Sequence, residues 1–160
     1  IFVLYLGWAS DVGDWTISQK KFPHGLKPLI SKAHSLGIRF GIHLPFVQAA
    51  VNSQFAAEMP ECLLSKIPNR FDYQVGNSDG VCLSHRPCFE RVLKAVLNLI
   101  DTVEPDYIVT DAESLVKHCD RTDHSHDLHD DVGNAIATDR IVEAIRQRNP
   151  NIILEVCSDG

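Results

Sequence analysis

The sequence predicts a parallel α/β fold, and three observations carry that prediction. Four short apolar runs, residues 2–7, 38–44, 106–111 and 151–156, lack strict alternation and read as strands buried on both faces. Between them lie stretches with apolar residues at helical spacing. Polar residues capable of chemistry follow the runs, whereas turn formers such as Glu104-Pro105 and Asn149-Pro150 precede them.

The helices are justified one by one. In residues 25–36, Leu26, Leu29, Ile30 and Ala33 recur on one face, and Gly37 follows as a C-terminal stop. Residues 86–101 carry Phe89, Val92, Leu93, Val96, Leu97 and Ile100 on one face, with Pro87 tolerated near the start. Residues 134–148 show Ile136, Ile141, Val142 and Ile145 and end before Asn149-Pro150. The stretch 45–84 has no clear period and contains Pro60, Pro68, Gly76 and Gly80. It reads as an active-site loop or small excursion, with room for a short helix within 47–59.

The alternation β-α-β-α-β-α-β implies a parallel sheet with right-handed crossovers. An open doubly wound sheet and an arc of a TIM barrel both satisfy it, and both gather function at the C-terminal strand ends. No glycine-rich phosphate loop follows any run, which removes the commonest reason for a dinucleotide-binding reading. The expectation is therefore a partial (β/α)8 TIM barrel of about four βα units. Because the chain opens and stops in strand-like runs, residues 1–160 are expected to be a fragment of a single catalytic domain, truncated at both ends.

Composition narrows the partners. With 160 residues, 44% hydrophobic and 22% charged, the chain suits one globular domain. A net charge of -6 argues against a nucleic-acid surface, which needs clustered Lys and Arg. No run approaches the roughly 20 apolar residues of a membrane-spanning helix, so no membrane partner is expected. The five cysteines, Cys62, Cys82, Cys88, Cys119 and Cys157, are odd in number and contain no CxxC pair. They are expected to be mostly reduced and buried rather than a disulfide framework or a zinc ribbon.

Asp111 closes a buried run, where a carboxylate is held rigidly and partly desolvated; that suits a nucleophile or general base, and equally a helix cap. Glu113, two residues on, could orient a hydroxyl group or be an ordinary loop carboxylate. Trp8 could stack on a sugar ring or belong to the core, and Asp11 and His43 follow the first and second runs. Cys157, after the last, could line a pocket or be inert. The densest polar cluster runs over 118–131 and includes His118, Cys119, Asp120, His124, His126, His129 and Asp131. Its spacing matches no closed zinc pattern and it contains no HExxH.

Taken in order, several segments resemble the melibiase-type α-galactosidases of glycoside hydrolase family thirty-six. They are Gly7-Trp8, Gly13-Asp14-Trp15, the run from Lys21-Phe22-Pro23 to Leu29, the run from Ala33 to Gly41, Asp106 to Asp111, and Glu155-Val156-Cys157-Ser158-Asp159-Gly160. The resemblance implies barrel strands two to five and a retaining double displacement needing no cofactor. Asp111 would be the nucleophile and Cys157 would line the sugar pocket, with Trp8, Asp11, His43 and Glu113 as further substrate-binding candidates. The acid/base carboxyl, which in a retaining enzyme lies about 5 Å from the nucleophile, would follow residue 160.

The sequence departs from the family's pattern at Tyr5 and Leu6, which stand where it has two Asp residues. It departs again at Val109 and Thr110 in place of Lys-Trp, and at His43-Leu44-Pro45-Phe46 after the third strand. The implied function is a hydrolase of α-galactosides or related α-glycosides, with self-association of the full-length protein left open. A catalytically silent carbohydrate-binding barrel and a metal-dependent hydrolase using the 118–131 cluster are the alternatives.

Overall fold

The computed structural model describes residues 1–64, 77–111, 119, 121–126 and 133–157. Its main sheet is parallel, with strand order β1 (Phe2–Leu4), β2 (Phe40–His43), β5 (Tyr107–Asp111), β6 (Ile153–Cys157). Between these strands run helices α1 (Lys27–Ser35), α3 (Arg86–Val103) and α4 (Gly133–Arg148), in the alternation the sequence predicts. No described helix is long and apolar enough to cross a membrane.

Register sorts the sheet into two faces. Leu4, Ile42, Ile108 and Leu154 lie in one row across the four strands. All four belong to, or pack on, the hydrophobic core, together with Ala33 of α1, Val92, Val96 and Ile100 of α3, and Ile141 and Ile145 of α4. Strand alternation puts the row His43, Val109, Glu155 on the opposite face.

The expectation of four fully buried strands holds for β2, which is buried throughout, but not for the two outer strands. Phe2 of β1 and Val156 of β6 are exposed, because each strand has a neighbour on one side only. The first apolar run also breaks earlier than expected: after Leu4 the chain turns into a 3-10 helix, Leu6–Trp8.

α3 runs two residues past the predicted end and buries Leu99 and Val103 in addition to the expected stripe. It stops where Glu104 takes a left-handed conformation (φ 49) just before Pro105. α4 continues to Arg148, whose guanidinium pairs with Asp101 near the end of α3.

The unperiodic stretch is an ordered excursion in its described parts. β3 (Gln48–Ala50) pairs antiparallel with β4 (Ser78–Gly80). Between them, α2 (Gln54–Glu58) is capped by Ser53, whose hydroxyl oxygen accepts from the Ala56 N–H at 3.1 Å. The short helix expected within 47–59 is present. The expectation of mostly reduced cysteines holds for Cys82, Cys119 and Cys157, but Cys62 and Cys88 form a disulfide, which ties the excursion to the first turn of α3. The cysteine count hid it because the other three, Cys82, Cys119 and Cys157, are free thiols.

The loop after β1 is welded to this excursion. Gly13 sits at φ +92, and a Cβ there would meet Ala49 Cβ and Cα at 2.5 and 2.6 Å. The Ala50 N–H donates to the Val12 carbonyl at 2.9 Å, and Asp14 accepts from the Phe55 N–H at 3.1 Å. Only glycine satisfies both the backbone conformation and the close approach.

At the N-terminal edge of the sheet, one Asp106 carboxylate oxygen accepts from the Phe40 N–H at 2.8 Å and from His34 Nε2 at 2.7 Å. It thereby ties α1, β2 and β5 together. Burial raises the Asp106 pKa, but these two hydrogen bonds and the nearby Arg39 outweigh it and hold the carboxyl below its usual value. A carboxyl with a lowered folded pKa contributes stability that is fully present above its unfolded pKa, about 3.9. That stability is lost as pH falls through the folded value. Asp106→Asn should therefore cost about 1 kcal/mol at neutral pH. Denaturant titrations should show the gap to wild type closing as pH drops below about 4.

Candidate functional site

The candidate residues converge on the C-terminal ends of the strands, and backbone hydrogen bonds set their spacing. The Trp8 indole N–H donates to the His43 carbonyl at 2.7 Å, which fixes the turn after β1 to the end of β2. One residue on, the Leu44 N–H donates to the Val109 carbonyl at 2.7 Å, which fixes β2 to β5. Asp111, at the end of β5, stands opposite Cys157 in β6. The strand ends that carry His43, Asp111 and Cys157 are thus adjacent in order across the sheet.

The side chains play unequal parts. Trp8 is 2% exposed and spends its N–H inside the fold, so its described role is packing between two strand ends. Half-buried Asp11 folds back on its own loop, its Oδ1 accepting from the Val12 N–H at 3.0 Å. His43 is fully buried beneath Tyr5, whose exposed ring stacks on the imidazole at 4.2 Å and 11°. Cys157 is half-buried at the end of β6. Glu113 lies outside the described residues.

Two positions that depart from the family's pattern, Tyr5 and His43, are therefore in direct contact. They form a flat stacked pair beside the C-terminal ends of β1 and β2. Reading the sequence position by position could not reveal this, because the pair is joined by strand register and not by spacing.

A second constellation lies where the loop after β5 meets the excursion. Cys82, just past β4, converges with Cys119, His124 and His126, and one ligand atom from each lies within 4.8 Å of all the others. The Cys82 thiol hydrogen-bonds Cys119, which holds the Cys119 pKa low against the opposing effect of burial. The same contact, with burial, pushes the Cys82 thiol up. Of the 118–131 cluster, His118, Asp120, His129 and Asp131 lie outside the described residues. Reading that cluster as one segment missed Cys82, which arrives from a different part of the chain.

A broad cleft of about 660 Å³ opens between the loop after β1 and the flank of α3, lined by Ser10, Asp14, Thr16, Lys20, Arg91 and Asn98 among others. It includes none of the residues at the ends of β2, β5 or β6, so its size does not make it the reaction site.

Trp8→Phe keeps an aromatic ring and deletes the N–H, leaving the His43 carbonyl without that donor. It should lower stability by about 1 kcal/mol. Trp8→Ala should cost about 3–5 kcal/mol. Equilibrium unfolding of the two variants checks both values.

The comparisons with known proteins agree on one family. The model of the melibiase family matches residues 2–160. The α-galactosidase of Lactobacillus acidophilus is 24% identical over 169 residues, covering 100% of this chain and 23% of that protein. The crystal structure of α-galactosidase AgaA from Geobacillus stearothermophilus superposes with a TM-score of 0.80 at 22% identity, covering 99% of this chain and 23% of that one. A variant of the same enzyme in complex with raffinose gives a TM-score of 0.77 at 22% identity, with 99% and 23% covered. The chain thus spans about a quarter of the length of the relatives it matches.

Proposed function

The chain belongs to the melibiase family, and from that premise we propose that the complete protein is a retaining glycoside hydrolase of α-galactosides or related α-glycosides, with Asp111 as nucleophile. The observation that carries the reading is the placement of Asp111: it ends a strand paired on both edges, within a family match that runs through the whole sheet. Residues 1–160 are read as part of one catalytic (β/α)8 barrel, with β1, β2, β5 and β6 as its second to fifth strands. A parallel sheet backed by helices, with its candidate residues at the C-terminal ends, supports that reading.

The chemistry follows from a carboxylate fixed at such an edge. Asp111 attacks the anomeric carbon as the glycosidic C–O bond breaks, giving a covalent glycosyl-enzyme with inverted configuration. A carboxylic acid beyond residue 160 protonates the departing oxygen. It then takes a proton from water, which attacks the same carbon, releases Asp111 and restores the original configuration. No cofactor enters either step.

Cys157, opposite Asp111 in register, is proposed to line the sugar pocket, and Glu113 and Asp11 to meet hydroxyl groups. Trp8 holds the strand ends in place beneath the sugar. His43 acts with Tyr5 as an aromatic floor, which favours the apolar face of a pyranose over the hydroxyl pairing that carboxylates give. Raffinose and stachyose, held by variants of AgaA, are the natural first substrates to try. Loss of gripping carboxylates changes preference among sugars by large factors, so galactose need not be the best substrate.

The test uses the complete protein and aryl α-glycosides with good leaving groups, which need little help from the acid and so report on the nucleophile. Asp111→Ala should reduce turnover by roughly ten-thousand-fold or more while leaving the fold intact. Undiminished turnover in the variant would overturn the assignment. Sugar binding by calorimetry with no turnover on any α-glycoside would replace it with a silent binding barrel, the reading that the Tyr5–His43 pair favours if chemistry has been lost.

A further inference from the structure

We propose that Cys82, Cys119, His124 and His126 form a closed tetrahedral zinc(II) site that staples the loop after β5 to the 45–84 excursion. The proposal does not rest on the glycosidase reading. It stands on donor identity, mutual distance and the surroundings of the four side chains.

Two thiols and two imidazoles are a donor set that suits zinc, and four protein ligands with no open position mark a structural site. With Zn–S of about 2.3 Å and Zn–N of about 2.0–2.1 Å, a tetrahedron has N···N edges of about 3.4 Å and N···S edges of about 3.6 Å. The structure has His124 Nε2 3.2 Å from His126 Nε2, and Cys119 Sγ 3.4 Å from His124 Nε2. Both contacts match edges of that tetrahedron within a few tenths of an ångström. The fourth donor, Cys82, closes the set inside 4.8 Å.

The surroundings are those of a supported site. Both cysteines are buried, and Leu64 packs against them as an apolar wall. The His124 ring stacks on His85 at 4.5 Å and 16°, while His85 Nδ1 donates to the Ser125 carbonyl at 3.0 Å. Arg121 braces the same loop by pairing with Asp123 at 2.7 Å and donating to the Pro60 carbonyl of the excursion at 3.1 Å.

His124 Nδ1 is buried and has no hydrogen-bond partner among the described residues, and Asp123 Oδ1 lies 3.9 Å from it. When Nε2 binds a metal, Nδ1 must carry the ring proton, and a small shift would bring it onto Asp123. That is the carboxylate–histidine–metal arrangement common around zinc. Binding deprotonates both thiols and releases their protons to solvent.

The consequence is mechanical. The described residues held by this site, Cys119 and Arg121 to His126, lie between β5 and α4 in sequence, and the excursion they are pinned to is already joined to α3 by the Cys62–Cys88 disulfide. A zinc ion there would hold residues 121–126 against Cys82 and the excursion without taking part in chemistry.

The complete protein, purified without chelators from zinc-supplemented cells, should carry about one zinc per chain by elemental mass spectrometry. A Cys82→Ser, Cys119→Ser double variant should carry at least tenfold less. Because that variant could fold poorly, cobalt(II) added to metal-stripped wild type supplies a second readout. Intense visible bands of a tetrahedral thiolate-ligated cobalt site are expected, and they should change when His126 is replaced by Asn. Wild type lacking stoichiometric zinc and lacking those bands would overturn the proposal. So would zinc content equal in wild type and the double variant, or thiol mapping that finds Cys82 and Cys119 joined as a disulfide.

Discussion

Strand β5 is hydrogen-bonded along both edges, to β2 on one side and β6 on the other, and the remaining features of the molecule take their positions from it. Two-sided pairing leaves no freedom of register: a slip by one residue would exchange Ile108, fully buried against the helices, with Val109 on the opposite face. The same constraint decides where the strand's last residue lies. Asp111 is placed by backbone hydrogen bonds, the least adjustable contacts in the fold, before any side chain has a say. That is the kind of support a reacting group needs if it is to stay in attack geometry.

Around this strand, different contacts hold the two edges of the sheet. The N-terminal edge is closed by Asp106, which draws α1, β2 and β5 together through one carboxylate oxygen. The C-terminal edge is organised by Trp8 and Leu44, whose N–H groups hold successive strand ends side by side. The excursion between β2 and α3 then builds a wall over that edge. It is held by Gly13 against Ala49, by Asp14 on the start of α2, and by the Cys62–Cys88 disulfide. A crosslink closing a loop of this size is worth about 3.5 kcal/mol in the chain-entropy account. The excursion has little apolar periodicity of its own to hold it in place.

What could be read in advance divides along the same line. The helices were legible because Val92, Val96 and Ile100, or Ile141 and Ile145, repeat at helical spacing, and that repetition reflects burial of one face. The central strands were legible because a run such as Tyr107 to Val109 is apolar on both faces. β3 and β4 were not, because strands of three residues carry no detectable alternation and Ser78-Asp79-Gly80 reads as a turn. The disulfide was hidden by the three free thiols. The Cys82, Cys119, His124, His126 convergence and the Tyr5–His43 stack were invisible for a common reason: each joins segments distant in sequence, and only tertiary register brings them together. Sites assembled from several loops lie beyond spacing arguments in general, whereas the position of Asp111 at the end of one buried strand does not.

The claim that Asp111 forms a covalent bond to sugar can be tested on the bond itself. The complete protein would be incubated with an activated fluorinated α-galactosyl donor, whose electron-poor ring slows breakdown of a glycosyl-enzyme more than its formation. It would then be digested and mapped by mass spectrometry. A single added glycosyl group is expected, on the peptide containing Asp111 and assigned by fragmentation to that carboxylate. A stable adduct on a different carboxylate, or continued hydrolysis by the wild-type protein with no adduct at all, would contradict it.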